Sequence, residues 1–289
     1  MIPEKLDTSK IRKLLFLGPR GSYSDFAKNK FIDAFDLNCV STNLKSISGI
    51  IKALKDENNE DMAAVIPIEN SIEGIVRETL DNLSSLKKEG FKIIAETTLN
   101  VEHALIGFCA KKSEIKIVRS HPQALAQCKR YLQANFADSL IEEATLSTSA
   151  AIRSLSKEEP SIAAIGSVEC ARMYDIPVIE EKINDEENNQ TRFIFLGKFL
   201  APQTGKDKTS ITFSTENKAG ALSKILTILE ENNINMSYID SRPSKKELGE
   251  YVFYIDFEGH INDEKVQKAF DKIKPLVKMF YVIGSYHTV

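Results

Sequence analysis

Residues Ser46 to Ser71 and Ser147 to Cys170 are built to one plan: a serine start, an amphipathic helix, an acidic loop, and a strand with an Ala-Ala-aliphatic run at Ala63-Ala64 and Ala163-Ala164. A helix with one apolar stripe and a short apolar strand cannot bury their faces singly, so each copy implies a layered α/β unit around it. Two similar lobes follow, although helix-loop-strand units of this length also recur by coincidence in α/β chains. The flanking sequence extends the pattern. Lys13 to Leu17 is a short apolar run closed by Gly18-Pro19-Arg20-Gly21, and Ser22 can cap a helix to Phe35. Met62 to Ile66 reads as a buried strand ending at Pro67, and Val76, Leu80, Leu83 and Leu86 mark a helix before the β-rich stretch Phe91 to Phe108. Ile115 to Val118 then reads as a strand, with Ser120 as the cap of the helix that carries Leu125, Cys128 and Leu132.

The last third has a different rhythm. After the Pro- and Gly-bearing stretch Ala201 to Lys208, Thr209 to Thr215 alternates like a strand, and Leu222, Ile225, Leu226 and Leu229 form one helix face. Ile234 to Asp240 and Tyr251 to Phe257 read as strands, Asn262 as a cap for the helix bearing Val266 and Phe270, and Leu276 to Ile283 as a closing strand. That βαββαβ order is a ferredoxin-like unit, which by itself assigns no function. The length of 289 residues accommodates the lobes and this unit.

Charge and cysteine usage narrow the partners. Lys plus Arg number 38 against 41 Asp plus Glu, so no positive field is available to hold a nucleic acid. Cys39, Cys109, Cys128 and Cys170 are dispersed with no CxxC pair, and the four histidines have no local metal spacing, so a reduced cytosolic protein without a metal is expected. Met1 to Lys13 contains no apolar run of signal-peptide length and no later segment is long enough to span a bilayer, so neither export nor membrane insertion is expected.

Four segments carry polar groups where strands meet turns, and each has a plain structural reading beside the functional one. Gly18 to Ser24 is either an anion cradle at a helix start or a tight turn with a serine cap. Pro67-Ile68-Glu69-Asn70-Ser71 places a carboxylate, an amide and a hydroxyl at a strand end, or is a turn bonded to its own backbone. Ser120-His121-Pro122-Gln123, followed by Gln127, is either a site wall or a capped helix start. Asn189-Gln190-Thr191-Arg192-Phe193 could converge on a carboxylate-bearing ligand, or form a hinge strand with a surface arginine.

These segments, in this order, together with Gly220-Ala221-Leu222 and Ser241-Arg242-Pro243 in the tail, resemble the prephenate dehydratase family over nearly the whole chain. The resemblance implies an α/β fold of two periplasmic-binding-protein-like lobes forming a catalytic domain at 1–200, with lobe 1 at about 13–100 plus 190–200 and lobe 2 at about 101–189. It implies a linker at 201–208 and a ferredoxin-like ACT regulatory domain at 209–289. The reaction implied is prephenate to phenylpyruvate with loss of carbon dioxide and water, which requires no cofactor. Thr191 is then expected to hydrogen-bond the departing hydroxyl, with Asn70, Ser120 and Gln127 as the other catalytic positions. Glu69, Ser71, Arg192, Phe193, Ser22 and Tyr23 are expected at the substrate. For Glu69 a proton-source role and a bracing role against Arg192 both stay open, and for Arg192 a carboxylate clamp and an orienting role; Phe193 is also readable as packing.

In the tail, Asn217, Gly220, Ala221, Leu222, Ser241, Arg242 and Pro243 are expected to bind L-phenylalanine as allosteric effector, with helix capping as the alternative for Asn217. Two positions depart from the family pattern: Asp240 stands where a glutamate is usual, and Ile75 follows Gly74 in place of a small polar residue. The resemblance further implies a homo-oligomer, dimer or tetramer, and about a dozen residues before the first strand lead to the expectation of a monofunctional enzyme. Arogenate dehydratase, or an amino-acid sensor without catalysis, are the alternative readings.

Overall fold

The structure, a computed structural model, describes residues 8–56, 60–136, 139–244 and 250–289. Residues 1–7 of the polar start lie outside the described residues. The first lobe alternates strands and helices: β1 (Lys13–Leu17), α1 (Tyr23–Phe35), β2 (Val40–Leu44), α2 (Ile47–Leu54), β3 (Met62–Asn70), the short β4 (Gly74–Ile75), α3 (Arg77–Leu83) and β5 (Lys92–Asn100). The second lobe continues with β6 (Ala104–Gly107), β7 (Ile117–Ser120), α4 (Pro122–Gln127), α5 (Lys129–Asn135), β8 (Ile141–Ala144), α6 (Thr148–Arg153), β9 (Ile162–Gly166), α7 (Val168–Met173) and β10 (Val178–Glu180). β11 (Gln190–Gly197) then returns to the first lobe and inserts between β5 and β3.

The two echoing segments fold alike. Ser46 caps α2 by accepting from the Gly49 amide at 3.1 Å, and Ser147 caps α6 by accepting from the Ala150 amide at 3.0 Å. Each helix leads into a strand that pairs in parallel with the first strand of its own α/β run, β3 with β1 and β9 with β7. Two details differ from expectation. β3 runs past Pro67 to Asn70, because the register of its pairing with β11 shifts between Arg192 and Phe193 and accommodates the proline. The cap of α4 is His121, whose side chain accepts from the Gln123 amide, while Ser120 is the last residue of β7.

The C-terminal unit has the order β12 (Lys208–Ser214), α8 (Ala221–Glu231), β13 (Met236–Pro243), β14 (Tyr251–Glu258), α9 (Glu264–Ile273) and β15 (Met279–Thr288). Asp263, not Asn262, stands at the cap of α9, and Gly220 in a left-handed conformation stands at the cap of α8. This unit does not hang from the catalytic lobes. Its sheet continues that of the first lobe in the order β13-β14-β12-β15-β5-β11-β3-β1-β2, with β4 on the flank of β3.

The join is a parallel pairing of β15 with β5, in which a Cβ added at Gly284 would lie 2.2 Å from the Ile93 carbonyl oxygen. Only glycine allows that approach. One core runs across the join: Tyr254, Ile283 and Tyr286 pack with Leu80, Leu83, Leu86 and Ile93. The stretch 201–208 is tied down, with the His260 Nε2 donating to the Ala201 carbonyl at 3.0 Å and the Asp207 carboxylate accepting from the Thr204 and Gly205 amides.

Candidate active site between the lobes

The lobes are joined by two connectors that run side by side. The Val101 amide donates to the Asn189 carbonyl at 2.7 Å, the Ile183 amide to the His103 carbonyl at 2.9 Å, and the Asn184 side-chain amide to the Val101 carbonyl at 2.9 Å. A cleft of about 280 Å³ opens against this hinge. Asn70, Thr191 and Tyr23 line it from the first lobe, and His121, Gln127, Ser147 and Thr148 from the second.

A chain of hydrogen bonds crosses the hinge behind the cleft. The Asn70 Oδ1 accepts from the Ile72 and Glu73 amides at 3.0 and 2.9 Å, which fixes which way its side-chain amide faces. Its Nδ2 therefore donates toward the Asn189 Oδ1 at 2.7 Å and the Thr191 Oγ1 at 2.9 Å, with the Gln190 carbonyl at 3.1 Å as a further acceptor. Asn189 passes the chain on, its Nδ2 donating to the Gln127 Oε1 at 3.1 Å, and the same oxygen meets the His103 Nε2 at 3.0 Å. Because that oxygen can only accept, His103 carries its proton on Nε2 and Nδ1 is left as a buried acceptor without a partner. Burial pushes the His103 pKa below its ordinary value, and the bond to Gln127 opposes this only in part.

Two consequences follow for the cleft. The Thr191 oxygen is occupied as an acceptor by Asn70, so its own hydrogen is left to donate to a ligand. The Gln127 oxygen is occupied twice, which leaves the amide hydrogens of that residue for the cleft. The described residues that line the cleft include no Lys, Arg, Asp or Glu. Tyr23 belongs to this neutral wall: burial first, then nearby carboxylates led by Glu169, raise its pKa, and its hydroxyl donates to the Glu102 carbonyl at 2.6 Å.

The sequence-predicted residues divide. Thr191, Asn70, Gln127 and Tyr23 are brought together at the cleft. Ser120 is fully buried and its hydroxyl donates to the Ile165 carbonyl at 2.7 Å, bracing the sheet of the second lobe. Arg192 is turned away from the cleft, as a neighbour of Thr191 on one strand must be, and its guanidinium meets Glu69 at 3.1 Å, Glu96 at 2.9 Å and Asp256 at 3.0 Å. Glu69 lies on that rear face too, in the bracing position against Arg192. Phe193 is buried in the aromatic core with Phe31 and Phe195. Ser71 ties the hinge, its hydroxyl donating to the Asn188 carbonyl at 2.9 Å and accepting from the Gln190 amide at 2.9 Å.

Ser22 caps α1. Its loop closes against the second lobe, where the Ser149 hydroxyl donates to the Arg20 carbonyl at 2.5 Å. Asn189, His103, His121, Ser147 and Thr148 enter the site without having been singled out as site residues, although Asn189 and His121 stand inside motifs read from the sequence.

The tail residues also divide. Gly220 has a φ of +79°, and Ala221 lines a cavity of about 360 Å³ shared with Lys224 and the segment 275–278. Asn217 is exposed and does not cap α8. Ser241, Arg242 and Pro243 end β13, whose outer edge has no strand partner among the described residues, and do not line that cavity. Arg242 instead reaches α3, pairing with Asp81 at 3.0 Å. Asp240, the departure from the family pattern, accepts from the Ser241 amide at 2.7 Å.

A profile of prephenate dehydratases matches residues 14–199, and one of ACT domains matches residues 209–275. The chain belongs to the prephenate dehydratase family. It is 40% identical over 279 residues to a prephenate dehydratase of Methanocaldococcus jannaschii, covering 95% of this chain and 98% of that one. It is 35% identical to a bifunctional chorismate mutase/prephenate dehydratase of Pseudomonas aeruginosa, covering 95% of this chain and 73% of that one. Among solved structures it resembles a prephenate dehydratase from Arthrobacter aurescens in complex with L-Phe, with a TM-score of 0.82 and 29% identity, covering 95% of this chain and 89% of that one.

Proposed function

We propose that this chain converts prephenate to phenylpyruvate in the cleft between its lobes and is inhibited by L-phenylalanine acting through the C-terminal unit. The observation that carries the chemistry is the Asn70-to-Thr191 hydrogen bond, which leaves one hydroxyl proton free at the wall of a neutral cleft. In the reaction the bond from the ring to its carboxylate breaks and carbon dioxide departs. The released electron pair enters the ring as the bond to the ring hydroxyl breaks and hydroxide leaves. Thr191 donates a hydrogen bond to that oxygen as charge develops on it, and a proton from water completes the leaving group. A threonine hydroxyl is too weak an acid to transfer its proton outright at neutral pH, so its role is stabilisation in the transition state.

The neutral wall suits this step. A leaving carboxylate clamped by arginine would be stabilised most before it reacts, whereas neutral donors such as Gln127, Ser147 and Thr148 orient it without that cost.

We place the catalytic domain at 1–200, the linker at 201–208 and the regulatory domain at 209–289, in keeping with the two profile matches. The relative in complex with L-Phe supports an amino-acid site in this chain, and we assign that site to the regulatory domain. Among the described residues, Ser241 to Pro243 do not line the cavity that Ala221 lines, so pairing of two β13 edges supplies a way to join the two segments, and we assign a homo-oligomer on that ground. The four free cysteines fit a reducing compartment, and we assign the cytoplasm.

The test is phenylpyruvate formation by the full chain with prephenate and with arogenate, each with and without L-phenylalanine. Prephenate is the expected substrate and L-phenylalanine the expected inhibitor. Turnover of neither substrate removes the assignment.

A further inference from the structure

The β3 and β11 strands form a two-sided bracket. Thr191 is opposite Asn70 and Arg192 opposite Glu69, so the hydrogen bond facing the cleft has an ion pair directly behind it in the next register position. Neither pair can shift along the strand without the other, because one backbone carries both.

Behind the bracket lies a buried charge cluster that spans the join with the C-terminal unit. The Arg192 Nη1 is shared between Glu96 of β5 at 2.9 Å and Asp256 of β14 at 3.0 Å. Lys208 of β12 reaches Glu96 at 2.7 Å, and the Thr288 hydroxyl donates to the same carboxylate at 3.1 Å. Asp256 has a second anchor: the Ser210 hydroxyl donates to its Oδ1 at 2.6 Å and also meets the Tyr286 hydroxyl at 2.6 Å. The side chains of Arg192, Glu96 and Asp256 are 11%, 6% and 8% exposed, so water cannot take over a contact that is lost.

We propose that Arg192 is a positioning residue for Thr191, and that its contact with Asp256 carries the state of the C-terminal unit to the catalytic strand. The inference rests on the phenylalanine-inhibited dehydratase reading above. An arginine cannot shed its charge, so when strands of the C-terminal unit move, its guanidinium follows the carboxylates that hold it. Asp256 belongs to that unit, whereas Glu69 and Glu96 belong to the first lobe. A displacement of β14 therefore redistributes Arg192 between two anchors that stay and one that moves. The register shift in β11 between Arg192 and Phe193 is the place where the strand can yield.

The test uses the full chain as wild type, Asp256→Asn and Arg192→Lys. Prephenate turnover is measured against L-phenylalanine concentration, and L-phenylalanine binding by calorimetry. Asp256→Asn is expected to keep kcat and KM within about twofold and to bind L-phenylalanine, but to need about tenfold more of it for half inhibition, the size of an ordinary coupling between sites. Inhibition at the wild-type concentration overturns the proposal. Arg192→Lys keeps the charge and loses the fork, and is expected to lower kcat about tenfold with KM within about twofold in a variant that remains folded at the assay temperature.

An unaltered kcat in Arg192→Lys overturns the positioning role. Should Asp256→Asn not fold, Ser210→Ala removes the second anchor of Asp256 together with its contact to the Tyr286 hydroxyl and is expected to raise the half-inhibiting concentration about threefold, with no change overturning the link. A wild type that turns over prephenate but ignores L-phenylalanine defeats the regulatory reading itself, and the link with it.

Discussion

The first lobe has two neighbours, and it holds them in opposite ways. The second lobe is attached by connectors 101–103 and 183–189, with a few contacts across the gap such as that from Ser149 to the Arg20 carbonyl. The C-terminal unit is attached by a shared sheet, a shared core and buried ion pairs. An element hung on two strands can swing through a large angle at small cost, whereas one welded through a sheet can pass on only small displacements. The cleft therefore lies at the two-connector joint, where a swing of the second lobe would open or enclose it. Regulation belongs to the welded one, where a shift of a fraction of an ångström at β11 is enough to misplace a hydroxyl.

The contrast can be broken or sharpened at several points. Asn70→Ala removes the group that orients Thr191 and strands the Ile72 and Glu73 amides, so kcat is expected to fall on the order of 100-fold, with a loss of roughly 1–3 kcal/mol in stability by denaturant unfolding. Gly21→Ala acts on the swinging joint. Gly21 has a φ of +77°, and a Cβ there would lie 2.8 Å from the Cys170 sulfur of the second lobe. The strain of roughly 1–2 kcal/mol is expected to lower kcat/KM about tenfold, and an unchanged value would show that this loop does not seat against the second lobe during turnover.

His103 offers a pH test of the hinge. Its folded pKa is depressed by burial, so the folded protein binds fewer protons there than the unfolded chain. Its contribution to stability is complete above the unfolded value of about 6.5 and is lost as the pH falls through the folded value. Melting temperature is expected to fall more steeply below that pH in the wild type than in His103→Asn, and equal slopes would exclude a buried neutral imidazole. Arg242→Ala removes the partly exposed pair with Asp81 and is expected to cost only about 0.2–1 kcal/mol, less at high salt. A larger loss would mean that the weld depends on this pair more than on the shared sheet and core.

What could be read from the sequence follows the range of the forces involved. Caps, amphipathic faces and the βαββαβ order are local, and Ser22, Ser46 and Ser147 stand at helix starts as their residue type dictates. Asn70 and Thr191 are legible because both end up on the cleft face at the mouth of paired strands. Arg192 and Glu69 are not separable from them by pattern. β11 is covered on both faces, by α1 against Phe193 and Phe195 on one side and by α3 with Tyr254 and Tyr286 of the C-terminal unit against Ile194 and Leu196 on the other, so polarity does not alternate along it.

The partners that settle the orientation of Arg192 are Glu96 and Asp256, far away in sequence. The β15–β5 pairing is equally nonlocal; its one trace is Gly284 inside a strand, where a close backbone approach is a standard reading. His103 carries no periodic signal at all, because it sits in a connector between strands.

The account rests on a proton that Asn70 leaves free on Thr191, and replacing threonine by its isostere valine tests it most directly. With prephenate saturating, Thr191→Val is expected to form phenylpyruvate at least about 100-fold more slowly than wild type, while Thr191→Ser, which keeps a hydroxyl, stays within about tenfold. A folded Thr191→Val variant that turns over prephenate at the wild-type rate would contradict it.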